Sequence, residues 1–185
     1  MKAAIFASGS GTNFEALVNA YIPDFDIVLM VCDKPGAKVI DRAERFGIES
    51  LVLTPRSFEN KAAYESAILK RLNELGVDFI CLAGYMRIVG ETLYNAYAGR
   101  ILNIHPALLP SFKGAHAIDD AFNFGVKVFG VTVHLIDLTI DGGTILAQRS
   151  FEYHGNNRDE VEARIHQIEH VLYPEAVTQF IKTIH

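Results

Sequence analysis

Asn103 and His105 stand two positions apart at the end of an apolar run, and a proline follows them directly. If Ile101–His105 is a β-strand, its two-residue side-chain period places the carboxamide and the imidazole on one side. Open α/β sheets bind ligands at the carboxyl ends of their strands, so both groups would face one cleft. An imidazole can transfer protons and a carboxamide can donate a hydrogen bond. A polar strand end before a Pro-rich loop is the alternative interpretation of this pair.

A carboxylate stands further along the chain, in the segment Ile140-Asp141-Gly142-Gly143 between two apolar runs. Asp-Gly is a common hairpin signal, and most such aspartates only shape the turn. Combined with Asn103 and His105, however, Asp141 would add a charge that orients the other two groups. These three residues are therefore the candidate catalytic set.

A glycine-rich loop, Ser8-Gly9-Ser10-Gly11-Thr12-Asn13, separates the first predicted strand from a helix. Its pattern Thr12-x-x-Glu15 predicts a capping box at the start of that helix. Glycines allow close backbone approach to a ligand, and N–H groups at a helix start favour a phosphate. The loop is a candidate anion site, although a turn that only connects two elements would have a similar composition.

A dinucleotide site is a second interpretation of the same loop. Gly9-x-Gly11 follows a predicted strand, and Asp33 lies 22 positions after Gly11 (33 − 11), near the place of a ribose-binding acid. The third glycine of that fingerprint is absent, so a mononucleotide phosphate fits better. A Rossmann-type nucleotide-binding module without transferase activity stays open, but it would have no use for the candidate catalytic set.

The elements that position these residues alternate between apolar runs and segments of helical period, which predicts an α/β fold. The predicted strands are Lys2–Ala7, Asp26–Cys32, Glu49–Leu53, Asp78–Ala83, Ile101–His105, Lys127–Asp137 and Ile145–Phe151. The predicted helices are Asn13–Tyr21, Ala37–Arg45, Glu59–Leu75, Gly90–Tyr97, Ala115–Phe124 and a long one from about Arg158 to the C-terminus. Pro174 should bend or interrupt that last helix.

The sheet should be mixed, because the last two strands are joined by a connection too short for a parallel crossover. We therefore expect a mainly parallel twisted sheet with helices on both faces and an antiparallel pair near the C-terminal part. The chain shows no linker, repeat or shift in composition, which predicts a single Rossmann-like domain over residues 1–185.

Composition excludes several classes of function. The 185 residues carry a formal net charge of −5, which argues against an extended nucleic-acid surface. No run reaches the roughly 18 apolar residues of a membrane span. Cys32 and Cys81 each lie in an apolar run, as expected of buried thiols in a reducing cytoplasm. His166-Gln167-Ile168-Glu169-His170 matches a helical zinc motif, but a third ligand is missing, so we expect no metal.

Four motifs in order resemble the folate-dependent phosphoribosylglycinamide formyltransferase family over essentially the whole chain. They are Ser8-Gly9-x-Gly11-x-Asn13, Leu82-Ala83-Gly84-Tyr85-Met86-Arg87-Ile88, Ala98-Gly99-Arg100-x-Leu102-Asn103-Ile104-His105-Pro106-x-Leu108-Leu109-Pro110, and Glu169-His170 followed by Tyr173-Pro174. The resemblance implies transfer of the formyl group of 10-formyltetrahydrofolate to the amine of glycinamide ribonucleotide, in the cytoplasm, by a monomer or homodimer. It implies no metal, nucleic-acid or membrane partner.

The same resemblance assigns site residues. The catalytic residues would be Asn103, His105 and Asp141. The ribonucleotide would be bound by Gly11, Thr12, Asn13, Lys61 and Glu169. The folate would be bound by Met86, Arg87, Ile88, Val89, Asn103, Asp137, Ile140 and Asp141. Nucleotide-phosphate binding would fall in about residues 1–100, and catalysis with folate binding in about 80–185.

Three positions depart from the family pattern that this resemblance implies. Lys61 stands where relatives often have Arg, Asp33 stands where we expect Asn, and 112–116 belongs to a loop that varies among members. The catalytic set also occurs in relatives that formylate methionyl-tRNA or amino-sugars and in hydrolases that pass the formyl group to water. The tRNA enzymes carry an added domain and the hydrolases an extra regulatory module, so length favours the ribonucleotide enzyme.

Overall fold

The computed structural model describes residues 1–184. Its strands are β1 (Lys2–Ala7), β2 (Asp26–Cys32), β3 (Ser50–Val52), β4 (Phe79–Leu82), β5 (Ile101–His105), β6 (Val128–Leu135) and β7 (Ile145–Glu152). Its helices are α1 (Thr12–Asn19), α2 (Lys38–Arg45), α3 (Lys61–Leu75), α4 (Glu91–Ala96), α5 (Ala117–Phe124) and α6 (Arg158–Thr183), with a short 3-10 helix over Pro55–Ser57.

The seven strands form one sheet in the order β3-β2-β1-β4-β5-β6-β7. β1 pairs in parallel with β2 and β4, β2 pairs in parallel with β3, and β6 and β7 are antiparallel. The predicted α/β fold with a mainly parallel sheet and an antiparallel pair is therefore confirmed. The 3-10 helix had no counterpart in the sequence prediction.

The chain packs as two compact units, Met1–Leu102 and Asn103–His185. In the first unit, five of the six residues of β1 and all four of β4 are buried. Such near-continuous apolar runs are typical of parallel strands that are covered on both faces. Cys32 and Cys81 are both buried in this core, as predicted.

In the second unit, α6 packs against β6 and β7. The buried side chains of α6 recur at helical spacing: Val161, Ile165, Glu169, Leu172, Tyr173, Ala176, Val177, Phe180 and Ile181. This apolar stripe continues on both sides of Pro174, and α6 is one uninterrupted helix. Of the bend or interruption predicted at Pro174, the interruption is wrong, because burial of the flanking side chains outweighs the loss of one backbone hydrogen bond, and the bend stays a prediction.

Several predictions need correction at the ends of elements. The bounds predicted for α1 (Asn13–Tyr21), α3 (Glu59–Leu75) and α5 (Ala115–Phe124) each differ by one or two residues from those observed. The N-cap of α1 is Gly11, without a side-chain cap hydrogen bond, so the predicted Thr12–Glu15 capping box does not form. Glu15 instead forms an ion pair with Arg42. β6 ends at Leu135, two residues before its predicted end, and α6 ends at Thr183. The last residue of the predicted C-terminal helix lies outside the described residues.

No helix within residues 1–184 is long and apolar enough to cross a membrane.

Candidate active site

The glycine-rich loop is held from the side by α2. Gly11 has a left-handed backbone (φ 76°), and a Cβ atom there would lie 2.6 Å from the Val39 side chain. The Val39 N–H donates to Gly9 O (3.1 Å), and Arg42 Nε donates to Ser10 O (2.7 Å). Only glycine can both adopt the left-handed backbone at position 11 and leave room for the Val39 side chain. This packing sets the loop shape at the start of α1, where the helix dipole favours an anion.

A buried carboxylate connects the same loop to the segment after β4. The Ser8 hydroxyl donates to Asp33 Oδ1 (2.5 Å) and accepts from the Met86 N–H (2.9 Å). Arg87 Nε donates to Asp33 Oδ2 (2.7 Å), which raises the pKa of the Arg87 guanidinium. The Asp33 side chain is fully buried. The Arg87 side chain is thus engaged by Asp33, and Met86 and Ile88 remain exposed.

Lys61 is the first residue of α3 and lies beside the other end of this segment. A Cβ atom at Gly90 would be 2.8 Å from Lys61 Cε and 2.9 Å from the Glu65 carboxylate. The buried Glu65 accepts from the N–H groups of Gly90 (2.6 Å) and Leu93 (3.3 Å) and so caps α4. Within the first unit, the predicted ribonucleotide residue Lys61 therefore borders the segment predicted to bind folate.

The second unit brings the imidazole of His105 and the carboxylate of Asp141 together. His105 is buried, and its Nδ1 atom lies 3.6 Å from Asp141 Oδ2. Its other nitrogen, Nε2, donates to the backbone carbonyl of Phe112 (2.8 Å). Asp141 Oδ2 also accepts from the Gly114 N–H (2.6 Å). The loop after β5 thus fixes the imidazole through a carbonyl and the carboxylate through an N–H group.

The turn that carries Asp141 is tightly built. Asp137 accepts from the N–H (2.7 Å) and the hydroxyl (2.6 Å) of Thr139, which lowers the pKa of the Asp137 carboxyl. Asp141 itself is left-handed (φ 47°), a conformation that aspartate tolerates better than most residues. A Cβ atom at Gly142 would lie 1.9 Å from the Thr139 hydroxyl, and one at Gly143 1.9 Å from Leu135 O. Any side chain at either position would therefore collide with these neighbouring atoms.

Asn103 lies two residues before His105 on β5, as predicted, and its amide contacts a second imidazole. Asn103 Nδ2 is 3.1 Å from His134 Nε2. The opposite ring nitrogen, His134 Nδ1, is 2.8 Å from Gly142 O in the turn next to Asp141. His134 is buried, and burial lowers the pKa of its imidazole against the opposing effects of Gly142 O and Asp141. His134 therefore connects the Asn103 amide to the turn that carries Asp141.

Comparison with known proteins decides the family. The formyl transferase family model matches residues 1–177. The chain is 50% identical over 184 residues to the phosphoribosylglycinamide formyltransferase of Bacillus subtilis, covering 97% of this chain and 94% of that protein. The chain belongs to the phosphoribosylglycinamide formyltransferase family.

Solved structures of this family have the same fold. The phosphoribosylglycinamide formyltransferase of Bacillus halodurans superposes with a TM-score of 0.95 at 42% identity, covering 100% of this chain and 97% of that one. Glycinamide ribonucleotide transformylase 1 of Geobacillus kaustophilus gives 0.93 at 48% identity, over 96% and 97% of the two chains. The trifunctional purine biosynthetic protein adenosine-3 of Gallus gallus is 38% identical over 181 residues, which are 96% of this chain and 18% of that one.

Glu169, predicted as a ribonucleotide ligand in this member of the formyltransferase family, is buried on α6. His166 Nδ1 lies 2.8 Å from Glu169 Oε2, and this hydrogen bond raises the pKa of the His166 imidazole. His166 is thus engaged by a carboxylate. No group of three metal-ligating side chains occurs in the part of the chain that the structure describes.

Sequence reasoning missed three groups that fix the catalytic residues of this formyltransferase: the His134 ring, the Phe112 carbonyl and the Gly114 N–H. Backbone groups leave no trace in residue types, so the last two had no signal. His134 stands in an apolar strand, where a buried polar residue needs a partner, but the identity of that partner depends on the placement of β5 and of the turn.

Proposed function

We propose that this chain transfers the formyl group of 10-formyltetrahydrofolate to the amine of N1-(5-phospho-D-ribosyl)glycinamide. The products are the N-formyl ribonucleotide and tetrahydrofolate, in de novo purine (IMP) biosynthesis. The observation that carries the proposal is the placement of Asn103 and His105 on β5, with His105 Nδ1 3.6 Å from Asp141 Oδ2 in the connection between β6 and β7. Membership of the formyltransferase family and the names of its relatives support the choice of substrates.

In the reaction, the substrate amine attacks the formyl carbon and forms a new C–N bond, while negative charge develops on the formyl oxygen. Asn103 donates an amide N–H to this oxygen, and the His105 imidazolium supplies positive charge. Donors aimed at a developing charge lower the barrier more than contacts made in the ground state. Collapse of the tetrahedral intermediate breaks the bond between the formyl carbon and N10 of the folate.

A proton must leave the attacking amine and arrive at N10. The Nε2–H of His105 is committed to the Phe112 carbonyl, so the second proton of an imidazolium sits on Nδ1, on the side of Asp141. The Asp141 carboxylate stabilises that charge and holds the water through which the proton passes. Because the carboxylate must also hold this water, its position is fixed by a neutral donor, the Gly114 N–H.

For the ribonucleotide, we propose that Gly11, Thr12 and Asn13 bind the phosphate at the start of α1, with Lys61 and Glu169 as further ligands. For the folate, we propose backbone contacts at Met86, Arg87, Ile88 and Val89, and contacts at Asn103, Asp137, Ile140 and Asp141. The engagement of the Arg87 side chain by Asp33 supports a backbone role for that segment. Within the first unit, the exposed apolar side chains of Met86 and Ile88 suit a flat heteroaromatic ring.

We further propose that the chain acts in the cytoplasm as a monomer or homodimer, as a single domain over 1–185, and without a metal, nucleic-acid or membrane partner. Addition of a chelator should leave formyl transfer unchanged. Sedimentation of the purified chain should give a mass of one or two copies.

The deciding experiment is a transfer assay with 10-formyl-5,8-dideazafolate, in which release of 5,8-dideazafolate is followed by absorbance. Release should require glycinamide ribonucleotide and should yield the N-formyl product in equal amount. Methionyl-tRNA, an amino-sugar nucleotide and buffer alone serve as control acceptors. Release at the same rate without the ribonucleotide would identify a hydrolase instead and would contradict the proposal.

A further inference from the structure

His134 is a buried polar residue on β6, with 1% of its surface exposed. Both of its ring nitrogens have partners, at 3.1 Å from Asn103 Nδ2 and 2.8 Å from Gly142 O. The reaction described above assigns it no task. Buried polar groups are normally satisfied, but here one partner is the amide that is to stabilise the transition state and the other belongs to the turn that carries Asp141.

The direction of the two hydrogen bonds follows from the chemistry of the partners. A carbonyl oxygen can only accept, so His134 Nδ1 carries a proton for Gly142 O. A neutral imidazole then has a bare Nε2, which can only accept. The atom of Asn103 that faces it must therefore be the amide nitrogen, and its carbonyl oxygen must point elsewhere. The burial that lowers the pKa of His134 keeps the ring in this neutral form.

We infer that His134 is a positioning residue, whose neutral, Nδ1-protonated ring fixes the orientation of the Asn103 amide for donation of its second N–H to the formyl oxygen. The inference rests on the proposed formyl transfer. Without this partner, the amide could rotate by half a turn about its last side-chain bond and present its oxygen to the developing negative charge. Since the same ring is hydrogen-bonded to Gly142 O, it also fixes the position of the amide relative to the turn that carries Asp141.

The kinetic test is a double-mutant cycle between His134→Phe and Asn103→Ala, measured by single-turnover formyl transfer. His134→Phe preserves an aromatic ring and removes both hydrogen bonds. It should reduce kcat by roughly tenfold to a hundredfold, with KM for the ribonucleotide within about twofold, since a lost oxyanion donor acts on the transition state. In the Asn103→Ala background, the same change should reduce kcat by less than about twofold, because the amide it positions is gone.

A stability control separates positioning from general damage to the strand. Val131 is fully buried on β6, three residues before His134. Val131→Ala should lower Tm but leave kcat within about twofold. Equal losses of kcat for His134→Phe in both backgrounds, or near-normal transfer by His134→Phe, would overturn the inference.

A second measurement is made on the unaltered chain and does not depend on turnover. Histidine labelled with ¹⁵N in the unaltered chain should show a protonated Nδ1 and a bare Nε2 for His134 at neutral pH. Its signals are assigned by their loss in His134→Phe or, if that variant does not fold, in His134→Gln. An Nε2–H tautomer or a charged ring would overturn the inference, whereas failure of the unaltered chain to transfer formyl groups would contradict the proposed function.

Discussion

Two regions of this formyltransferase are held by different kinds of interaction. Around the glycine-rich loop, a fully buried carboxylate, Asp33, is bonded to the Ser8 hydroxyl and to the Arg87 guanidinium. Around the catalytic residues, each imidazole is bonded to a backbone carbonyl, that of Phe112 or that of Gly142, and Asp141 is bonded to a backbone N–H. The structure of the first region therefore depends on charged side chains, and that of the second depends on the course of the backbone in its loops.

The difference has a chemical reason. The ion pair between Asp33 and Arg87 only has to hold the backbone of a binding segment, so its strength does not disturb the chemical step. In the catalytic region, a full charge on a positioning group would compete with the charge that develops during the reaction. Neutral backbone partners fix the side chains and leave their charges available to the substrate. The comparison predicts that the two regions respond differently to substitution.

The largest effect should follow removal of a catalytic group. His105→Ala and Asp141→Asn should each reduce turnover by roughly 10²–10⁴-fold, the range for a positioned acid or base, and Asn103→Ala by about 10²–10³-fold. Asparagine also tolerates the left-handed backbone at Asp141 and can accept from Gly114, so Asp141→Asn isolates the charge. Single-turnover transfer, with binding of both substrates measured separately, tests this. Near-normal transfer by folded His105→Ala and Asp141→Asn would return these residues to a structural role.

The next largest effect should follow a change in the turn. Gly143 (φ 94°) and Gly125 (φ 87°) are both left-handed, but a Cβ atom meets Leu135 O at 1.9 Å only at Gly143, and nothing within 4 Å at Gly125. Gly125→Ala should cost about 1 kcal/mol of stability and leave kcat unchanged. Gly143→Ala should destabilise by more and also reduce kcat by roughly tenfold or more, because Asp141 shifts. Similar kcat values for the two variants would show that the turn is not what positions the carboxylate.

A smaller effect is expected in the charged region. Asp33→Asn keeps the shape of the side chain but removes the ion pair with Arg87, so the Met86–Val89 backbone should loosen. KM for the folate should rise about twofold to tenfold, the loss of one partly exposed charged hydrogen bond, with kcat little changed. Glu49→Gln is the matched control, because it removes an ion pair with Arg71 in the same unit. A fall in kcat without a change in KM would contradict this division of roles.

The smallest effects should appear in the pH dependence of stability. The folded pKa of His134 lies below the ordinary value of about 6.5. Between the two pKa values the unfolded chain therefore binds more protons than the folded chain. The contribution of His134 to the free energy of unfolding is thus full above about pH 6.5 and is lost as pH falls towards the folded pKa. The titratable groups that act on this ring are Asp141 and His105, and its other polar neighbours are Gly142 O, the Leu135 backbone and the Asn103 amide.

His166 should behave in the opposite way. Its folded pKa is raised, first by the hydrogen bond to Glu169, so its contribution is full below about pH 6.5 and is lost as pH rises through the folded pKa. Tm measured against pH should therefore lose part of its acid-side slope in His134→Phe and part of its slope above neutrality in His166→Gln. Parallel curves for the unaltered chain and both variants would contradict these assignments.

The sequence predicted the elements well where one local rule decides, and poorly where distant groups compete. The apolar runs of β1 and β4 and the short connection between β6 and β7 were sufficient for the fold. The capping box failed because contact with Val39 and a left-handed φ make Gly11, rather than Thr12, the cap. The helix interruption at Pro174 failed because propensity was judged without the packing of α6 on the sheet.

For the site, residue types and two-residue spacing were enough to choose Asn103 and His105 as partners on β5. They could not reveal that Asp33 and Arg87, 54 positions apart, form an ion pair. Nor could they reveal that His134 joins Asn103 to a turn, since that requires the placement of three elements. Contacts made by backbone groups, such as the Phe112 carbonyl, lie beyond any reasoning from side-chain chemistry.

The connection between β6 and β7 has one more consequence. Surface connections between strands usually vary in length among related proteins and accept foreign sequence. This one is filled on the inside by Thr139 and Leu135 O, which lie against Gly142 and Gly143. An added residue would have nowhere to bulge inward and would carry Asp141 away from His105. The connection thus behaves as part of the framework, and an engineer who wishes to attach an epitope or a fluorescent tag should choose another site.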